Sequence, residues 1–266
     1  MVSITKKELK EIKSLRTRKG RRASGRFAAE GVRLLEEAIR HDVRPELLLW
    51  SPALLAERGH QLVQQFRRRR VQVVELAARE LNGISESVTS QGIMGVFDIP
   101  QSSFDELLRP EHRTVLLCDG ISDPGNLGTL LRCALAFRFN PVLLTGKCAD
   151  PYTPKVVRAS VGAIFGVDLI RTAAADVAAL VDRGKFRLIA ADVNDRTSTV
   201  DFKDTRCNRL ILAVGSEAEG LSESILKISD CRWRLEHERC VDSLNAAVAA
   251  AIMMQGIYHH TIGKRN

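Results

Sequence analysis

The sequence predicts an α/β protein: a mainly parallel sheet covered on both faces in the second half, preceded by a smaller α/β unit. Two observations carry this. From residue 115 onwards, short apolar runs alternate regularly with helical segments, the pattern of strands joined by crossover helices. Composition agrees, because 266 residues with 45% hydrophobic and 5% aromatic content can bury an ordinary α/β core without disulfide or metal support.

In the first part, Phe27, Val32, Leu34, Leu35, Ala38 and Ile39 gather towards one face at helical spacing, which predicts a helix over 27–39. Strands follow at 47–50 and 71–74, a helix at 52–66 lies between them, and 92–97 forms the last strand. Pro100, Ser102 and Ser103 mark a break. The domains are therefore expected at 1–98 and 113–266, with 99–112 as linker. In the second part the strands are expected at 115–118, 141–145, 167–170, 186–190, 210–214 and 231–235. Helices are expected at 127–137, 154–164, 176–181 and 222–226, with a closing helix at 243–258.

Net charge is +8, and the first thirty residues hold ten Lys/Arg against three Glu. Positive charge concentrated near one end displaces condensed counterions from a phosphate backbone, so nucleic acid is the expected partner. Arg16, Arg18, Lys19, Arg21 and Arg22 are the candidate contacts there, and Arg67 to Arg70 form a second basic run. A solvated basic face is the plain alternative. Contacts of this kind hold phosphates and do not choose a base sequence. The six cysteines (Cys118, Cys133, Cys148, Cys207, Cys231, Cys240) include no CxxC pair, so neither a zinc site nor a disulfide framework is expected. The first residues lack the apolar core of a signal peptide, and no stretch approaches the roughly 20 apolar residues of a membrane span. A soluble, cytoplasmic protein away from membranes is expected.

Polar residues and glycines collect where strands end, which is where an open α/β sheet builds ligand sites. In Asp119-Gly-Ile-Ser-Asp-Pro-Gly-Asn126-Leu-Gly128 a strand gives way to a loop and then to a helix carrying Arg132. Gly146 to Gly162 follows another strand and contains Lys155 and Arg158, candidates for RNA phosphates or merely a border of the sheet. It lacks the GxxxxGK[ST] spacing of a nucleotide triphosphatase. In Val214-Gly215-Ser-Glu217-Ala-Glu219-Gly220-Leu-Ser222 two glycines permit a tight turn, and Ser222 is placed to cap the next helix. Glu217 is a carboxylate in that turn, which orders the loop or meets a ligand. Ser243-Leu244-Asn245 opens the last helix, where Ser243 or Asp242 could cap it. Ala246, Ala247, Ala249, Ala250 and Ala251 make that helix thin enough for close packing, whereas Asn245 needs hydrogen bonds of its own.

These three segments, N-x-G-x-x-x-R, GSExEGLS and V-x-SLN, in this order and at these separations, resemble the signature motifs of the SpoU/TrmH RNA ribose methyltransferases of the SPOUT superfamily. The resemblance covers about residues 113–260, and Ala149 to Gly162 is also similar to that family. The first part resembles, more weakly, the family's ribosomal-protein-like substrate-binding domain, best over Glu30-Gly-Val-Arg-Leu-Leu-Glu36. The resemblance implies a deep trefoil knot in the parallel sheet, a homodimer packed through the knot region, and S-adenosylmethionine as methyl donor with no metal. It implies Asn126, Arg132, Glu217, Ser243 and Asn245 as catalytic residues, and Thr145, Gly146, Gly215, Leu235 and Leu244 around the donor. The reaction implied is attack of a ribose 2′-oxygen on a sulfonium methyl group, in ribosomal RNA ahead of transfer RNA. Arg132 then holds a phosphate and stabilises the developing alkoxide, because a guanidinium rarely gives up its proton. One stretch departs from the family pattern. Leu235-Glu-His-Glu-Arg-Cys240 stands where the family has Ile-Pro-Met and a glycine, so the pocket beside the donor's adenine is expected to differ. The competing reading is a knotted RNA-binding or ribosome-associated factor that no longer transfers methyl groups.

Overall fold

The computed structural model describes residues 4–87, 89–102, 113–192, 209–238, 240 and 243–261. Most of the expected linker, together with Cys207, Arg239 and Asp242, lies outside the described residues.

The basic N-terminal segment forms two helices, α1 (Lys6–Ser14) and α2 (Arg18–Ser24). Thr5 starts the first through a capping box: its Oγ1 accepts from the Glu8 N–H at 3.2 Å, and Glu8 accepts from the Thr5 N–H at 2.7 Å. Thr17 Oγ1 accepts from the Gly20 N–H at 3.1 Å and starts the second. The expected helix over 27–39 is corrected by the structure. Residues 26–30 are a strand, β1 (Arg26–Glu30), and the helix α3 (Val32–Arg40) begins only after Gly31, whose φ of +117° breaks the chain direction. Phe27 is buried in this strand opposite Phe97, so the antiparallel ladder overrides the helical spacing. β2 (Leu47–Trp50) leads through a 3-10 turn at Pro52–Leu54 into α4 (Glu57–Arg68). β3 (Gln72–Glu75), α5 (Ala78–Ile84) and β4 (Ile93–Asp98) complete a four-stranded sheet of order β1-β4-β2-β3. Ile12, Leu15, Leu49, Val74, Leu81, Ile84 and Val96 fill the core between this sheet and the helices α1 and α5.

The second half alternates as expected: β5 (Thr114–Asp119), α6 (Pro124–Ala136), β6 (Val142–Thr145), α7 (Pro154–Ala159), β7 (Leu169–Arg171), α8 (Ala174–Gly184), β8 (Arg187–Ala191), β9 (Leu210–Gly215), α9 (Glu223–Lys227), β10 (Cys231–Trp233) and α10 (Ala246–Thr261). Six strands pair in the order β10-β8-β9-β5-β6-β7, every neighbour parallel. β5 and β9 sit in the middle and are buried along their whole length, which is why they read as unbroken apolar runs. Val177 and Leu180 of α8 and Ile225 of α9 pack with Val115, Leu117, Leu188, Ile211 and Ala213. α10 packs on α6 and β9, burying Ala247, Ala250, Met254 and Ile257. No helix among the described residues is long and apolar enough to cross a membrane.

The chain divides into two compact units, Met1–Ile99 with Asp150–Gly166, and Pro100–Ala149 with Val167–Asn266. Residues 150–166, placed by sequence in the second domain, group with the first. Within that unit Arg21, only 2% exposed, donates from Nε and Nη2 to Asp150 Oδ2 at 3.2 and 2.7 Å and from Nη1 to the Leu15 carbonyl at 2.7 Å. Tyr152 and Phe165 add ring contacts to Phe27 and Phe97, with centroids 4.9 and 4.8 Å apart respectively.

Candidate active site

Strand order reverses at β5: β6 and β7 extend the sheet on one side, β9 and β8 on the other. The crevice at the carboxyl ends of β5 and β9 is therefore the switch point where an open parallel sheet takes its ligands. The last register pair there is Asp119 with Gly215. Beyond β5, Asp123 caps α6 by accepting from the Asn126 N–H at 2.8 Å, with Pro124 in the first turn. Beyond β9 the chain folds back on itself, Ser216 and Gly220 exchanging backbone hydrogen bonds of 3.1 and 3.0 Å. A side chain at Gly215 would come within 2.1 Å of the Gly220 carbonyl carbon, so only glycine fits.

Asn126, Glu217 and Asn245, far apart in sequence, are joined here. Asn126 Nδ2 donates to Glu217 Oε1 at 3.1 Å, and Asn245 Nδ2 donates to the same oxygen at 2.5 Å and to Asn126 Oδ1 at 2.9 Å. Asn245 Oδ1 in turn accepts from the N–H groups of Ala247 and Val248 at 3.0 and 3.2 Å, so Asn245 caps α10. The Ala246 N–H adds a 3.3 Å bond to Glu217 Oε1. The carboxylate thus lies at the positive end of a long helix, where negative charge is favoured. All three side chains remain accessible to solvent.

Beside this network lies a cavity of about 320 Å³, a size that suits a small-molecule ligand. Its wall includes the expected Gly215, Glu217, Leu235, Ser243 and Leu244. Thr145 and Gly146 do not line it. Thr145 is buried and donates from Oγ1 to Asp119 Oδ1 at 2.8 Å, so its hydroxyl is already used. Arg132 is exposed on α6 and makes no hydrogen bond or ion pair among the described residues. Six residues separate it from Asn126, which on a helix is about 9 Å along the axis and a third of a turn away. The network does not include it. Ser222 precedes α9 but its hydroxyl makes no capping bond; Ser222 Oγ lies 3.0 Å from Ser224 Oγ instead.

Sequence reasoning missed Asp119. It is 5% exposed, and while Oδ1 holds Thr145, Oδ2 accepts from the Ser222 N–H at 2.8 Å, so one carboxylate ties the ends of β5 and β6 to the loop after β9. An acid closing the apolar run Val115-Leu-Leu-Cys118 was the available signal. His237, in the segment that departs from the family pattern, also lines the cavity, where the sequence expects the pocket to differ.

Two of the expected phosphate contacts on the first unit are corrected. Arg21 is consumed by Asp150 and the Leu15 carbonyl, and Arg16 is turned to the end of α5, donating to the carbonyls of Ile84 (3.0 Å), Gly83 (3.4 Å) and Ser85. Arg158 pairs with Glu86 at 3.1 Å, both about 40% exposed, so its charge is partly answered. Arg18, Lys19, Arg22 and Lys155 are exposed.

The fold is that of RNA methyltransferases built on an α/β sheet. A SpoU rRNA methylase family model matches residues 113–255, more than half of the chain, and an MRM3-like substrate binding domain model matches residues 6–95. This chain belongs to the SpoU rRNA methylase family. It is 27% identical over 261 residues to the 23S rRNA (guanosine(2553)-2'-O)-methyltransferase RlmP of Bacillus subtilis (strain 168), the match covering 97% of each chain. It is 33% identical over 162 residues to the mitochondrial rRNA methyltransferase 3 of Mus musculus, over 59% of this chain and 37% of the mouse protein. Among solved structures it matches an AdoMet-bound rRNA methyltransferase from Sinorhizobium meliloti with a TM-score of 0.81 and 25% identity, over 98% of this chain and 97% of that one.

Proposed function

We propose that this protein transfers a methyl group from S-adenosylmethionine to a ribose 2′-hydroxyl of ribosomal RNA. The observation that carries the reading is the joining of Asn126, Glu217 and Asn245 at the sheet's switch point, beside a cavity of ligand size. The cavity suits this donor. Its wall combines apolar Val214, Leu235, Leu244 and Met253 with the carboxylates of Asp192, Glu217 and Glu219, and holds no Lys or Arg among the described residues. A flat purine and a cationic sulfonium and ammonium group match such a wall. When bound, S-adenosylmethionine supplies an electrophilic methyl group.

The chain's own residues then do the rest by position and charge. Glu217 fixes Asn126 and Asn245 and thereby the mutual placement of the loops after β5 and β9 and the start of α10. Gly215 lets the loop close against Gly220 without a side chain intervening. Arg132, exposed and unpaired among the described residues, is free to grip a phosphate next to the reacting ribose and to stabilise the alkoxide. Proton removal falls to water or phosphate. RNA docking falls to Arg18, Lys19, Arg22 and Lys155.

A knotted second domain, a homodimer and a cytoplasmic setting belong to the same proposal. Support for the dimer comes from α10, which leaves Val248 and Ile252, four residues apart on one face, 48% and 45% exposed. Calorimetric titration with S-adenosylmethionine tests the donor, and mapping ribose methylation in total RNA with and without the protein tests the reaction. Absence of donor binding would leave the competing reading, an RNA-binding factor without transferase activity.

A further inference from the structure

The segment that departs from the family pattern puts an imidazole into the cavity wall. His237 is half-buried, and its Nδ1 lies 3.0 Å from the Leu235 carbonyl oxygen. A carbonyl only accepts, so the hydrogen sits on Nδ1, and in the neutral ring Nε2 is then an acceptor. The described wall that His237 shares holds the apolar side chains of Leu235, Leu244 and Met253, which carry no N–H or O–H donor, as well as the hydroxyls of Ser216 and Ser243. An acceptor on a cavity wall is open to a donor that the ligand brings.

We propose that His237 is a specificity-determining residue that accepts a hydrogen bond from the exocyclic amine of the bound donor's purine. This rests on the reading of the cavity as the methyl-donor pocket. The cationic end of the same ligand is drawn elsewhere, to the carboxylates of Glu217 and Glu219 in the loop after β9. What remains for the apolar part of the wall is the flat ring, and the ring's amine is its hydrogen-bond donor. His237 thus distinguishes a 6-amino from a 6-oxo purine, because an oxo group would set two acceptors against each other.

The test is calorimetric titration of the full chain with S-adenosylhomocysteine and with its inosine counterpart, so that no turnover enters the measurement. The unsubstituted protein is expected to prefer the amino form by about tenfold, the scale of one part-buried hydrogen bond. His237→Phe keeps a ring but has no acceptor, and should bind both ligands within about twofold of each other. His237→Gln offers a carbonyl oxygen and should recover part of the preference. Should His237→Phe retain the full preference, or the unsubstituted protein show none, the assignment is overturned while the donor pocket stands. If the unsubstituted protein binds neither ligand, the donor pocket itself falls and this inference with it. A second readout does not depend on a folded Phe variant. In histidine-15N-labelled protein, the resonance missing from His237→Gln identifies the ring, and its Nε2 signal should move with S-adenosylhomocysteine and not with the inosine form. Equal movement with both would overturn the proposal.

Discussion

Replacing Asn245 by alanine removes two things at once, and the structure says how large each is. The amide oxygen caps α10 through the N–H groups of Ala247 and Val248, and loss of such a cap costs about 1 kcal/mol. The amide nitrogen donates to the Glu217 carboxylate, a charge-assisted bond whose net worth is about 1.5 kcal/mol or less at an accessible site. Asn245→Ala should therefore weaken the first turn of α10 by about 1–2 kcal/mol, which appears as roughly 5–30-fold faster amide exchange at Ala247 and Val248. Asn245→Asp separates the two effects. An aspartate caps as well as asparagine, so the amides should stay protected, but it sets a second carboxylate against Glu217 Oε1, where the amide nitrogen now lies at 2.5 Å. Glu217 should swing away, and affinity for S-adenosylmethionine should fall while α10 remains intact. Hydrogen exchange read by NMR or mass spectrometry, with calorimetric titration on the same samples, measures both. Unchanged exchange in Asn245→Ala, or donor affinity in Asn245→Asp equal to that of the unsubstituted protein, would refute the network as described.

Asp119→Ala strands the Ser222 N–H and the Thr145 hydroxyl, and should cost about 1–3 kcal/mol in denaturant unfolding, with a matching loss of donor affinity. Gly215→Ala drives a methyl group into the Gly220 backbone and should abolish donor binding in titration even where circular dichroism shows the sheet intact. Arg21→Ala should lower stability by about 3 kcal/mol, the low end for a broken buried pair since Asp150 reaches solvent, and leave the salt dependence of RNA binding unchanged. Arg22→Ala should do the reverse, reducing the slope of log affinity against log salt by about 0.7–0.9. Burial pushes the Cys118 thiol well up and the Cys148 thiol up, whereas Cys240 is exposed. Site-resolved alkylation at neutral pH should therefore label Cys240 long before Cys118 or Cys148.

The second half of the chain was readable because its central strands β5, β6 and β9 are buried on both faces and read as short unbroken apolar runs, set apart by longer helical segments. The three polar segments were readable for the same reason, being interruptions of a regular pattern. β1 was not, because Phe27 falls in line with Leu34, Leu35 and Ala38 at helical spacing, and only pairing with β4 assigns it to a strand. α1 and α2 are mostly charged and offer little apolar spacing, although Thr5-Lys-Lys-Glu8 is a legible capping box. Nothing in Arg21-Arg22 says which arginine is buried. That choice depends on Asp150, which is 129 positions away. In the site, Asn126, Glu217 and Asn245 could be nominated from their unusual places, but the hydrogen bonds joining them appear only once the sheet brings β5 and β9 side by side.

The salt link from Arg21 to Asp150 also bears on how this architecture can be cut and recombined. Since Asp150–Gly166 completes the first unit, the polypeptide leaves that unit, returns to it and leaves again. Deleting everything before residue 100 would strip Tyr152 and Phe165 of their aromatic companions and leave Asp150 without its cation. A graft that gives the enzyme a different RNA-docking module must therefore carry two separate pieces of sequence, because a single crossover near residue 100 sets Asp150, Tyr152 and Phe165 against foreign partners.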